Sequence, residues 1–166
     1  MSLAQSLLAE LDHEMAGTRR ELERVPEDRL AWKPHAKSMT LGRLASHLAE
    51  LPSWGAMTVR TTELDISPPG STATRATFSS RAEILAHFDK CLADARAAIG
   101  ATPDAEFMVP WTMLKAGQTV FSLPRIAVLR SMVLNHNVHH RAQLGVYLRL
   151  LDIPLPSLYG PSADER

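Results

Sequence analysis

His136 and His140 stand four residues apart in the run Asn135-His136-Asn137-Val138-His139-His140-Arg141. An i, i+4 spacing stacks two side chains one turn apart on the same helical face. Two imidazoles placed that way can close on one ion, as in the helical H-x-x-x-H of zinc proteases. Apolar or ambiguous positions recur at Ile126, Leu129, Val133, His136, His140, Leu144, Tyr147 and Leu151, which puts the pair on a core-facing seam. A buried imidazole without partners costs free energy, and a metal is one way to supply them. A third histidine, His47, flanks or shares the apolar stripe Leu44, Leu48, Leu51 of an earlier helix. Singly, each has a plain structural explanation: a satisfied core histidine, or a stacked surface pair. Together, His47, His136 and His140 on bundle-facing positions of two helices form a candidate set of ligands for a divalent metal ion.

Three protein ligands leave a position open for water or substrate, the pattern of catalytic sites more than of structural ones. Imidazole suits zinc, nickel, copper or iron, and spacing does not choose among them. Ligating histidines donate their second ring N–H to an acceptor, for which Asn135, Asn137, Gln143 and Glu50 are candidates. His139 reads as a group behind the ligands or one facing an adjacent helix. His13, His35 and His87 stand beside charged or loop residues and read as solvated.

The elements that would position these residues are helical. Leu3, Leu7, Leu8, Leu11, Met15, Thr18 and Leu22 mark a first helix, ended by Pro26. After a loop from Asp28 to Lys37, Thr40 caps a second helix that is expected to run to about Leu64 with a kink at Pro52. Residues 67–78 are loop by composition. Ser80-Arg81-Ala82-Glu83 reads as a capping box opening a third helix, which Gly100 stops. Residues Phe107–Phe121 change period and suggest a small hairpin or extended lid, with Pro110 arguing against a central strand there. A fourth helix starts near Pro124 and runs to about Leu151, before an irregular tail expected to fray. Four long amphipathic helices with one long crossover predict an all-α four-helix bundle, an architecture that builds metal sites from side chains on facing helices.

At 166 residues the chain is read as a single domain spanning 1–166. Acidic and basic residues balance at 18 each, which leaves no basic face for nucleic acid or a membrane surface. No apolar run approaches the roughly 20 residues of a spanning helix, and the N-terminus lacks a basic region followed by an apolar block. One cysteine, Cys91, excludes an internal disulfide and fits a reducing, cytoplasmic setting. It is read as a small core residue.

Trp32-Lys33-Pro34-His35-Ala36-Lys37-Ser38-Met39-Thr40-Leu41-Gly42, then His47-Leu48-Ala49, then Asn135-His136 with His139-His140-Arg141-Ala142-Gln143-Leu144, resembles the DinB-like (damage-inducible, YfiT-type) family. The closing Tyr159-Gly160-Pro161-Ser162-Ala163-Asp164-Glu165 resembles a frequent ending of its members, so the likeness covers nearly the whole chain. The resemblance implies an up-down-down-up four-helix bundle, often a homodimer. It also implies a divalent metal on one histidine of helix two and an H-x-x-x-H pair on the last helix, here His47, His136 and His140. Ala142 departs from the glycine many members carry. A methyl group suits a helix but bears on close packing. Characterised relatives include S-transferases using low-molecular-weight thiols and a maleylpyruvate isomerase.

The leading expectation is a metal-dependent hydrolase or thiol S-transferase acting on a small molecule, with zinc or nickel placed first. The ion would activate a water or a thiol in the open position. No Ser-His-Asp set or G-x-S-x-G elbow is present to suggest serine hydrolysis. The alternative is a non-enzymatic, stress-related metal- or ligand-binding protein. Trp54, Trp111, Tyr147 and Tyr159 are candidates for a pocket mouth, though ordinary core or dimer contacts are the default reading. Arg141 reads as an anion guide or as a solvated or capping side chain.

Overall fold

Ser2 opens the first helix as a complete capping box: its hydroxyl accepts from the Gln5 N–H, and the Gln5 side chain accepts from the Ser2 N–H. In the computed structural model, which describes residues 2–71 and 77–165, this helix is α1, Leu3–Leu22. The loop expected at 67–78 therefore falls partly, at 72–76, outside the described residues.

Helix two is shorter than its periodicity suggests. Thr40 caps α2 (Leu41–Glu50) by accepting from the Arg43 N–H, and Pro52 separates it from α3 (Ser53–Arg60). Thr61 then turns extended, and Glu63–Asp65 forms a strand, β1, where the sequence suggests helix. Next comes α4, Arg81–Gly100. Ser80 accepts from the Glu83 N–H, but the Glu83 carboxylate reaches past it to the backbone and hydroxyl of Ser79. The box expected at Ser80 is thus only half formed.

Two further strands follow, β2 (Pro110–Lys115) and β3 (Gln118–Pro124). The expectation of an all-α bundle is corrected here: the chain is mainly helical but carries a three-stranded mixed sheet of order β1-β2-β3. β1 runs parallel to β2, and β2 antiparallel to β3. Pro110 does open the central strand after all, at its first position, where a missing N–H does least harm to the ladder. Ala116 and Gly117 both have positive φ, 52° and 77°, which matches the twist of a two-residue hairpin turn. The Asp65 carboxylate accepts from both of their N–H groups, at 3.1 and 2.7 Å, and so ties β1 to the turn.

The last helix is not uniform either. It comprises α5 (Arg125–Val128), a π-helical segment (Leu129–Asn135) and α6 (His136–Leu150). α1 and α2 each pack against α4 and α6, around a core that includes Leu7, Met15, Leu44, Leu48, Phe88 and Leu144. Burying each aliphatic side chain of such a core contributes about 1.5–3 kcal/mol. A second, smaller cluster of Trp111, Met113 and Val128 sits under the sheet. Among the described residues, no helix is long and apolar enough to cross a membrane.

Candidate metal centre

α2 and α6 face each other, and the three histidines meet between them. His47 Nε2 lies 3.4 Å from His136 Nε2, which lies 2.8 Å from His140 Nε2. The ring centroids are 4.6–5.1 Å apart. Three nitrogens bound at ordinary zinc distances would sit about 3.3 Å from one another, so the donors match an ion of that size.

Protons on the far side of the rings explain why the nitrogens converge. His140 Nδ1 meets Gln143 Oε1 at 2.7 Å. An amide oxygen only accepts, so Nδ1 carries the proton and Nε2 presents its lone pair. His47 turns its Nδ1 toward Glu50 Oε2 at 3.7 Å, an electrostatic contact longer than a hydrogen bond. Gln143 and Glu50, both legible as candidates in the sequence, thus stand behind two of the rings. Asn137 does not: it is buried and exchanges hydrogen bonds with Thr18 of α1. His139 is exposed, with Nε2 3.1 Å from the Gln143 amide nitrogen, so it stands behind the His140 ring.

Electrostatics favour neutral imidazole at the innermost ring. Burial pushes the His140 pKa down to about 4; Gln143 opposes the shift and the neighbouring imidazoles reinforce it. Burial also works to raise the Glu50 carboxyl, but His47 and Arg43 outweigh it and hold it below its ordinary value. Arg43 Nη2 is 3.2 Å from Glu50 Oε2.

The histidines line a cavity of about 580 Å³. Glu50 and Ser53 adjoin them, and Trp54 of α3 lines the wall. The sheet contributes Leu64 and Met113, the π segment Met132, and the flanking chain Met39 and Ile66. Sequence reading misses all of these except Glu50 and Trp54. Apart from Ser53, their only signal is apolar character, which core residues share.

Other candidates lie elsewhere. Trp111 is buried under the sheet and donates to Thr61 Oγ1. Tyr147 packs edge-on against Trp32 and donates to the Met39 carbonyl. Tyr159 hydrogen-bonds Arg141 and Glu14. Arg141 is neither a guide for anions nor solvated: at 3% exposure it donates to the Glu14 carbonyl and carboxylate. Cys91 is buried as expected, yet its Sγ lies 3.4 Å from Nε2 of His87, a neighbour four residues away. His87 also packs on Phe78 and is only partly solvated. His13 and His35 are exposed.

Compared with family models, residues 10–144 match the DinB superfamily. The chain belongs to the DinB superfamily. Two solved DinB-like proteins share its fold. One, from Bacillus cereus ATCC 10987, has a TM-score of 0.70 at 20% identity and covers 93% of this chain and 97% of its own. The other, from Bacillus subtilis, has a TM-score of 0.68 at 15% identity and covers 97% and 99%. No curated protein matches the chain in sequence. Within this DinB-superfamily fold Ala142 is exposed on α6, away from the seam, so its methyl group leaves the histidine cluster undisturbed.

Proposed function

We propose that His47, His136 and His140 bind a divalent cation, zinc or nickel, and that the cavity beside them is the active site of a hydrolase or S-transferase for small molecules. One observation carries the reading: three Nε2 atoms converge while Nδ1 of His140 is tied to Gln143 and Nδ1 of His47 faces Glu50. One proton could bridge two such lone pairs but not three, whereas a cation accepts all of them. A bound ion would supply Lewis acidity, lowering the pKa of a water or a low-molecular-weight thiol in the open position. The protein's own part is to fix the rings. Gln143 holds His140 in one tautomer, and Glu50 faces the far nitrogen of His47. The same reading places the protein in the cytoplasm, in keeping with its single thiol, and as a homodimer, in keeping with the family resemblance.

Elemental analysis of untagged protein should give one zinc or nickel per chain, and His47→Ala should reduce it to background. Hydrolysis and thiol-transfer screens of the two proteins then separate enzyme from binding protein. If His47→Ala loses the metal and every activity persists, the enzyme reading fails and the non-enzymatic alternative stands.

A further inference from the structure

The cavity lining falls into two chemically distinct sets. One is the three imidazoles with Glu50 and Ser53; the other is Met39, Trp54, Leu64, Ile66, Met113 and Met132, drawn from separate parts of the chain. Packed cores leave few voids larger than a water molecule, so six apolar side chains facing a space of about 580 Å³ forgo the contacts that a filled core would give them. Ile66 is 42% exposed at this site, a wet apolar surface that a ligand would cover. Three of the six are methionines, whose unbranched thioethers adapt to differently shaped apolar groups. The volume falls in the range of small-molecule sites, which combine an apolar lining with a few polar groups that fix orientation.

We propose that the substrate is a small molecule with an uncharged alkyl or aryl body, seated on the wall of Met39, Met113, Met132, Trp54, Leu64 and Ile66, with its reactive heteroatom directed at His47, His136 and His140. The proposal rests on the metal-site reading for the reactive end only; the apolar wall makes its own prediction.

The test uses the full-length chain loaded with cobalt(II) and labelled with ¹³C at the methionine methyl groups. The probes are straight-chain hydroxamates of increasing length, from acetohydroxamate upward. Acetohydroxamate should perturb the cobalt absorption bands. Each added methylene that enters the wall should then tighten binding by about fourfold until the cavity is full, after which affinity levels off. Octanohydroxamate should shift the methyl signals of Met39, Met113 and Met132 and leave that of Met108, which lies outside the cavity. Ile66→Asn and Met113→Gln should each flatten the length dependence while cobalt stoichiometry and acetohydroxamate affinity stay unchanged. An ω-carboxylate on the octyl chain should weaken binding at least tenfold.

A length-independent series, or unmoved Met39, Met113 and Met132 signals, overturns the proposal. Failure of the metal reading looks different: cobalt is not retained, or acetohydroxamate leaves its bands unchanged. In that case 1-alkanols, which need no metal, still decide the matter. If they shift the same three methyl groups with increasing effect at greater length, the apolar wall holds; if they do not, it falls with the metal site.

Discussion

A histidine ring offers a metal one nitrogen reliably only when something else holds the proton on the other, and here Gln143 does that for His140 at 2.7 Å. Replacing Gln143 with Leu removes the acceptor without touching the three histidines. Zinc affinity should fall about 10- to 100-fold, read by competition against a chromophoric chelator, with stoichiometry still one per chain. Equal affinity in the two proteins would mean that Gln143 merely decorates the helix. A second buried group sets a pH dependence of stability. Glu21 is 3% exposed, its Oε2 has no hydrogen-bond partner, and it lies against Gly145, where a Cβ would stand 3.3 Å from Oε1. Burial pushes its carboxyl up to about 7, with the Arg141 guanidinium pulling the other way. From the ordinary value of 4.5 up to about 7, the native chain therefore binds more protons than the unfolded one. The contribution is complete below 4.5 and is lost as pH rises through 7. Glu21→Gln keeps the shape and removes the charge. It should match the parent in urea melts near pH 4 and exceed it by on the order of 3 kcal/mol at pH 8. Parallel melts at both pH values would refute the burial argument.

At the scale of elements, the π segment reconciles two anchored ends. The buried positions of α6, Asn137, His140, Arg141, Leu144, Gly145 and Leu148, extrapolate by a regular α-helical period to a stripe through Arg130. Arg130 is exposed, and Val128 and Leu129 are buried in its place, so about one extra residue has been absorbed. Deleting Arg130 should let the segment run as continuous α-helix. α6, held by the larger core, stays put with its histidines. With the extra residue gone, Leu129 takes the place of Arg130 in the regular period, so Val128 should stay in the sheet cluster and Arg125 on Glu106 and the Thr61 carbonyl. Trp111 emission should therefore stay unmoved and stability should change by less than about 1 kcal/mol in urea melts; a red shift of Trp111 would show that the segment does not absorb one residue. The turn beside it offers a gain. Ala116 sits at φ 52°, which an asparagine tolerates better, so Ala116→Asn should stabilise the chain by roughly 0.5–1 kcal/mol in urea melts. These two features also mark where sequence reading stops. Steps of three and four found the helices and placed His47, His136 and His140 on facing seams, because core burial imposes that period. One absorbed residue leaves the apolar pattern nearly intact and so hides from the same test. β1 is only three residues long and is defined by its partner β2 and by Asp65 reaching 51 residues ahead to Ala116, information that no local window contains. The methionines of the cavity look like core until the space beside them is seen.

For the molecule as a whole, the C-terminal segment decides whether the bundle is open or strapped. A frayed tail is the natural expectation for residues after Pro156, yet through Glu165 they are tied to the helices. Asp164 pairs with Arg149 at 2.6 Å and accepts from the Leu155 N–H, while Glu165 pairs with Arg24 of the loop after α1 and accepts from the Ser157 N–H. The centre of the strap is Tyr159, whose hydroxyl donates to Glu14 and accepts from Arg141, closing a triangle across α1, α6 and the tail. α1 is shaped to admit it: a Cβ at Gly17 would stand 2.9 Å from Arg141 Nη1 and 3.2 Å from Leu158. A buried guanidinium is costly unless its hydrogen bonds are made, so losing the strap should be felt in stability rather than in chemistry. Tyr159→Phe, which removes only the hydroxyl, should cost about 1–2 kcal/mol in urea melts. Truncation after Pro156 should cost about 2–4 kcal/mol, because it also uncovers Arg141 and removes both ion pairs. No strap residue lines the histidine cavity, so both proteins should still bind one zinc per chain with unchanged affinity. A truncated chain that melts at the same urea concentration as the parent would mean that the strap holds nothing, and a loss of zinc affinity would mean that the tail and the metal centre are coupled through α6.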